Sequence, residues 1–272
     1  QQLDFADALP YSLWNVDRML RRGELDCDIY VVRATETPDR IDAGAAVGFT
    51  STMLDREQTT TLVELETRGP AGLCDRELDW RRCLVWRSGR PGAAEHEEIA
   101  RARPEKTDPA RERIARLVST LVPRDATVQL GIGALADEIA RALPGGAHMG
   151  LHCGSLPEGA LERIRRGAFE RADGGADRGR QVATSLARAP RGGERLPASI
   201  SLRPIESTHS PDALANVQRL WAVNSALDVD LFGQPNSEWL GGRRVASAGG
   251  LADFTRGAHL SPGGASVLAL PA

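Results

Sequence analysis

Apolar residues recur along this chain in two periods, and the two halves of the chain use them differently. In the first hundred residues short β-type runs dominate: Cys27–Ala34 (CDIYVVRA), Thr60–Leu65 (TTLVEL) and Cys83–Trp86 (CLVW). Each is β-branched or aromatic and too short for a helix. Ahead of them, Tyr11–Arg22 places Leu13, Trp14, Val16 and Leu20 on one side, which predicts a helix. Positions 89–106 (GRPGAAEHEEIARARPEK) then turn polar and punctuated, as a linker would, so a boundary is expected near residue 105. The domains expected are 1–105 and 106–272.

The second part alternates helix and strand. Asp108 can cap a helix with Pro109 at its first position, and Ile114, Leu117, Val118 and Leu121 follow at i, i+3, i+4 and i+7. Next come Ala126–Leu130 extended, Leu135–Leu143 helical, Met149–Cys153 extended and Glu158–Arg166 helical. A polar stretch rich in Gly and Arg, 172–195, separates these from candidate strands at Leu220–Val223, Leu227–Leu231 and Ser266–Leu270. Such alternation predicts an α/β fold built on mostly parallel sheet with covering helices.

Composition narrows the partners. A formal net charge of -3 over 272 residues argues against a nucleic-acid phosphate footprint. No apolar run approaches the roughly 20 residues of a membrane span, and no charged segment leads into an apolar one at the N-terminus, so a cytoplasmic protein is expected. Cys27, Cys74, Cys83 and Cys153 show neither CxxC pairs nor zinc spacing, which leaves reduced thiols and no metal as the expectation. Lys106 is the single lysine, so recognition of phosphate or carboxylate falls to Arg or to backbone N–H groups.

Three stretches can carry chemistry. Gly131, Ile132 and Gly133 lie between a strand and a helix, where glycine lets backbone approach a ligand and helix N–H groups meet an anion. The same letters imitate a dinucleotide GxGxxA, which would need an acidic residue at the end of the next strand; Met149–Cys153 offers none. A purely structural glycine turn is the other alternative. In the second stretch, Gly150 to Ile164, a strand runs into a Gly-Ser-x-Pro turn before a helix, which puts His152, Cys153, Ser155 and Glu158 near the carboxyl end of a strand, where open α/β sheets gather ligands. Each also has an ordinary reading: Cys153 as buried filler, His152 as a hydrogen-bonded core or rim residue, Glu158 as a complement to the helix dipole. The third, Trp221 to Pro271, carries Asp228 and Asp230 and then Gly233-Gln234, Gly241-Gly242, Gly249-Gly250 and Gly263-Gly264, whose N–H groups could line an oxyanion site.

Taken in order, these stretches resemble the acetyl-CoA hydrolase/transferase family, which includes the 4-hydroxybutyrate CoA-transferases of the class I CoA-transferase superfamily. Where members show LQLGIG, GIHTEMFSDG, INSAIEVDLTGQ, GIGGQxDFxRGA and GGKSIIALP, this chain reads VQLGIG, GLHCGSLPEG, VNSALDVDLFGQ, ASAGGLADFTRGA and GGASVLALP. The likeness is strong over 108–272 and faint before. It implies two open-sheet lobes, the first incomplete, and a second lobe that holds an acyl-CoA or acyl-pantetheine thioester as substrate, with no tightly bound cofactor. Gly131, Ile132, Gly133, Gly249, Gly250 and Asp253 would line the CoA site. Members extend beyond this chain at both ends, so part of the first domain and the C-terminal segment are expected to be absent; the partner expected is a second copy in a homo-oligomer or a complementary chain in a heteromer.

The resemblance breaks at one decisive place. The family's nucleophilic glutamate of HTE aligns with Gly154, since HTE becomes His152-Cys153-Gly154, and glycine has no carboxylate with which to run the ping-pong cycle. The oxyanion segment changes too, with Ser247 and Leu251 replacing a Gly and a Gln. One expectation is acyl transfer or hydrolysis through Cys153 as nucleophile, aided by His152 or Glu158. The other is a non-catalytic subunit that binds ligand or completes a partner.

Overall fold

A computed structural model of the chain describes residues 9–87, 108–169, 179–188 and 196–270, less positions 39, 46, 67, 68, 70, 72, 73, 75–78 and 147. The expected linker and the boundary near residue 105 lie outside the described residues.

The first helix, α1 (Leu13–Arg22), begins at Ser12, whose side chain accepts from the Asn15 N–H, and ends at Gly23 with φ 69°. That left-handed turn is inexpensive for glycine and returns the Gly23 N–H to the Leu20 carbonyl. Three of the expected strands appear close to their predicted bounds as β1 (Ile29–Glu36), β3 (Thr60–Glu66) and β4 (Leu84–Arg87). With β2 (Ile41–Asp42) they form a sheet in the order β2-β1-β3-β4, parallel except for β1 with β2. Helix α2 (Thr50–Leu54) packs against α1, and Asp17, fully buried, takes hydrogen bonds from Thr52 and Arg21.

Beyond the undescribed stretch, Asp108 caps α3 (Pro109–Leu121) through the Ala110 N–H, with Pro109 at the first position as expected. The buried stripe of α3 is not the expected one. Ala115, Val118 and the following Val122 face the core, whereas Leu117 and Leu121 are each more than half exposed. A 3.6-residue period permits neighbouring stripes on one helix, and the small Ala115 lets the helix approach its neighbours more closely than a leucine would.

Four strands, β5 (Thr127–Leu130), β6 (Gly150–Leu151), β11 (Leu220–Ser225) and β16 (Ala265–Ala269), form an all-parallel sheet in the order β16-β11-β5-β6. A parallel bridge from His152 to Val182 continues it to β8 (Gln181–Ala183), which pairs in parallel with β10 (Ile200–Leu202). Every residue of β5, β8 and β10 is buried, the pattern of parallel strands covered on both faces. Helices α4 (Ala134–Ala142), α5 (Glu158–Arg165), α6 (Ile205–His209), α7 (Pro211–Ala215) and α8 (Leu251–Leu260) complete this part, and β7 (Ser155–Leu156) pairs with β9 (Ser185–Leu186). The mixed α/β class with parallel sheets is therefore as expected.

Two expectations need correction. The stretch 172–195, read as merely polar, contains β8 and β9. Leu227–Leu231 is a hairpin rather than a long strand: β12 (Asp228–Val229) pairs antiparallel with β13 (Pro235–Asn236), and Asp230 accepts from the Phe232 and Gln234 N–H groups to make the turn. A second hairpin, β14 (Trp239–Leu240) with β15 (Arg243–Arg244), follows.

The two parts share a core. Ala43 and Val47 pack in the same buried cluster as Val128, Leu151 and Ile200, and backbone bonds run from Val47 to Thr184 and from Ile205 to Gly48. Among the described residues no helix is long and apolar enough to cross a membrane.

Candidate active site

All strands of the larger sheet run the same way, so the turns after β5, β6 and β11 emerge at one edge. Helix α8 packs on β11 and β16 and connects them, so its leading turn, Gly249-Gly250, also lies at that edge. A side chain supplies the measure of how closely these turns approach. A Cβ placed on Gly154 would stand 3.1 Å from His209 Nε2, and one on Gly250 would stand 2.8 Å from the same atom. The end of the β6 segment and the start of α8 therefore meet across a single imidazole.

His209 ends α6 and is 1% exposed. Its ring stacks at a tilt on Phe254 of α8, centroids 4.7 Å apart, and Nδ1 lies 2.7 Å from Thr208 Oγ1. Thr208 Oγ1 also sits 3.2 Å from the Pro204 carbonyl oxygen and 3.3 Å from that of Ile205. Carbonyls only accept, so the hydroxyl proton is best assigned to them, and Nδ1–H then donates to Thr208. This leaves a lone pair on Nε2, which has no hydrogen-bond partner. Burial, reinforced by His152, pushes the pKa of His209 down to about 3, so the ring is neutral at physiological pH.

His152 is held by the same element. Its Nε2 lies 3.0 Å from the Thr208 carbonyl and so carries the proton, and its ring meets Phe254 edge-on at 6.3 Å. Cys153 turns the other way, as strand alternation requires. Its side chain is 0% exposed, with Sγ 3.8 Å from the Val128 carbonyl, and burial pushes the thiol up to about 12. The expected cleft-facing thiol is thus a core group. Glu158, at the first turn of α5, accepts from Arg188 Nε at 2.9 Å, and Ser155 pairs with Ser185.

Gly131 closes β5 by donating to the Val223 carbonyl, and a Cβ there would meet Asn224 Oδ1 at 3.5 Å. Beneath it Asn224 and Gln129 exchange two buried amide bonds of 2.9 and 3.1 Å, locking β5 to β11 at the site edge. Gly133 at φ 97° heads α4 with open space around it, and Ile132 is exposed. Asp253 also serves the fold. Its carboxylate is buried and takes the Trp14 N–H at 3.0 Å and the Ser12 side chain, while the Leu13 N–H bonds to the Gly249 carbonyl. Desolvation raises the Asp253 pKa. The residue docks α1 onto the glycine turn through Oδ2, while its buried Oδ1 has no hydrogen-bond partner.

His209, Thr208 and Phe254 were not legible as site residues. A lone histidine in STHSP matches no motif, and only the fold brings it between two glycines.

Comparison with known proteins bears on the fold and on the family this chain resembles. Residues 195–272 match the model of the acetyl-CoA hydrolase/transferase C-terminal domain. The 4-hydroxybutyrate coenzyme A transferase of Clostridium kluyveri is 25% identical over 280 residues, covering 98% of this chain and 61% of that protein. Over residues 195–272 the chain is similar to the acetyl-CoA hydrolases/transferases. A succinyl-CoA:cyclohexane-1-carboxylate CoA transferase from Geobacter metallireducens is 30% identical over 158 residues, 57% of this chain and 36% of that one. Among solved structures, RipA from Yersinia pestis superposes with a TM-score of 0.79 at 24% identity, over 97% of this chain and 58% of its own; that likeness bears on the fold alone. The chain spans less than two thirds of the length of these relatives.

Proposed function

We propose that this chain is a CoA-transferase-like protein that holds an acyl-CoA thioester at the carboxyl edge of its parallel sheet. The thioester carbonyl faces the Gly249-Gly250 turn at the head of α8, and the Gly131–Gly133 turn offers a second backbone surface to the CoA. The observation that carries the reading is the meeting of Gly154 and Gly250 at one atom, because it supports a common site for the two segments that resemble the family most. No cofactor is needed; the CoA thioester is the substrate.

Covalent catalysis through Cys153 draws little support from a thiol that is buried and pushed up to about 12. The non-catalytic alternative has an observation in its favour. Val31, Leu84 and Trp86 share one face of the first sheet and are exposed, an apolar surface suited to a second chain or a second copy. Calorimetric titration with acetyl-CoA and CoA tests the binding claim, with Gly250→Pro as the variant that should abolish it. A folded wild type that binds neither would refute it. Intact-mass measurement after exposure to acyl-CoAs tests the Cys153 route, which requires a cysteine adduct.

A further inference from the structure

With no carboxylate at position 154 and the Cys153 thiol in the core, a reactive atom must be sought elsewhere in the cleft. The His209 imidazole is the group that both segments surround. Its Nδ1 is engaged by Thr208, its face rests on Phe254, and its Nε2 points between Gly154 and Gly250 without a partner. A buried polar atom without a protein partner costs free energy unless a ligand or water meets it, and here the atom stands where the two segments converge. Neither glycine needs a left-handed backbone, so what keeps these positions small is the ring itself.

We propose that His209 is the general base of a hydrolytic reaction on the bound thioester. The inference rests on the reading that a CoA thioester occupies this cleft. Nε2 accepts a proton from water while the water oxygen bonds to the thioester carbonyl carbon. The carbonyl electron pair moves to the oxygen, which faces the Gly249-Gly250 turn. On collapse the C–S bond breaks, the sulfur takes the proton from Nε2, and a carboxylic acid and free CoA leave. No oxidant, metal or covalent enzyme intermediate enters the balance. The imidazolium forms beside the oxyanion, so the dry site carries a pair of opposite charges rather than an isolated cation. In this structure Nε2 is sealed by the Gly154 and Gly250 backbone, and the glycine turn must yield as the thioester seats. Thr208 is the positioning residue, since it fixes the tautomer that leaves the lone pair on Nε2.

The test measures acetyl-CoA and longer acyl-CoA binding by calorimetry and CoA release by chromatography, on wild type, His209→Asn and His209→Gln. Asn keeps a donor toward Thr208, Gln keeps a polar atom near the Nε2 position, and neither can act as a base. Expected are slow turnover by wild type with no mass adduct on the protein, loss of at least about 100-fold in hydrolysis in both variants, and CoA affinity within about threefold of wild type. Absence of any binding overturns both this proposal and the reading beneath it. Binding without hydrolysis, hydrolysis that survives in either folded variant, or an acyl adduct on Cys153 overturns this proposal alone.

Discussion

The Gly154–His209 contact can be tested through stability without reference to any substrate. Gly154 lies outside the left-handed region, so alanine there meets no backbone strain, and its effect reduces to one methyl group against the ring. That methyl would stand 3.1 Å from His209 Nε2, 3.5 Å from Cε1 and 3.5 Å from Phe254 Cε2. The ring cannot easily retreat, because Thr208 holds its far nitrogen at 2.7 Å and Phe254 backs its face. Overpacking of this kind costs about 1–3 kcal/mol. In a His209→Ala background the methyl enters the space vacated by the ring, so the cost of Gly154→Ala should fall nearly to zero. A double-mutant cycle by urea unfolding should therefore return a coupling of about 1–2 kcal/mol, well above the ~0.5 kcal/mol within which independent sites add. Constant m-values would show that the unfolded reference is unchanged. Additive effects would refute the claim that these residues touch.

The same cycle with Gly250→Ala should show stronger coupling, since its methyl would lie 2.8 Å from Nε2. Because the folded pKa of His209 is held down at about 3 against an ordinary 6.5, the unfolded chain binds a proton across that window and the folded chain does not. Stability should decline as pH falls from about 6.5 toward 3, and His209→Asn should flatten that limb of a urea-midpoint titration; Asp253, whose raised pKa acts in the opposite sense, is common to both proteins. Asp253→Ala should cost about 1–3 kcal/mol and raise amide exchange within α1, leaving β5 protected; unchanged exchange at Trp14 would argue against the docking role. Iodoacetamide at pH 8 should modify Cys27, Cys74 and Cys83 well before Cys153, and early native-state labelling of Cys153 would overturn its placement in the core.

Local signals in the sequence were enough for the elements that make the site edge. Asp108-Pro109 marks the start of α3, the β-branched runs mark β1 and β3, and helix–strand alternation implies parallel pairing, because each of these depends on residues close together in the chain. The motifs VQLGIG, GLHCGSLPEG and GGLADFTRGA likewise identified the relatives. What required the tertiary structure was direction and company. Whether Cys153 or Gly154 meets His209 depends on strand phase at β6, which the bridge from His152 to Val182 fixes and which a one-residue change would invert. That Asp253 holds the start of α1 rests on a contact across 239 positions. His209 carries no pattern of its own, and its standing as the atom between two glycines arises only when α6, α8 and the end of β6 are brought together by burial of the core they share.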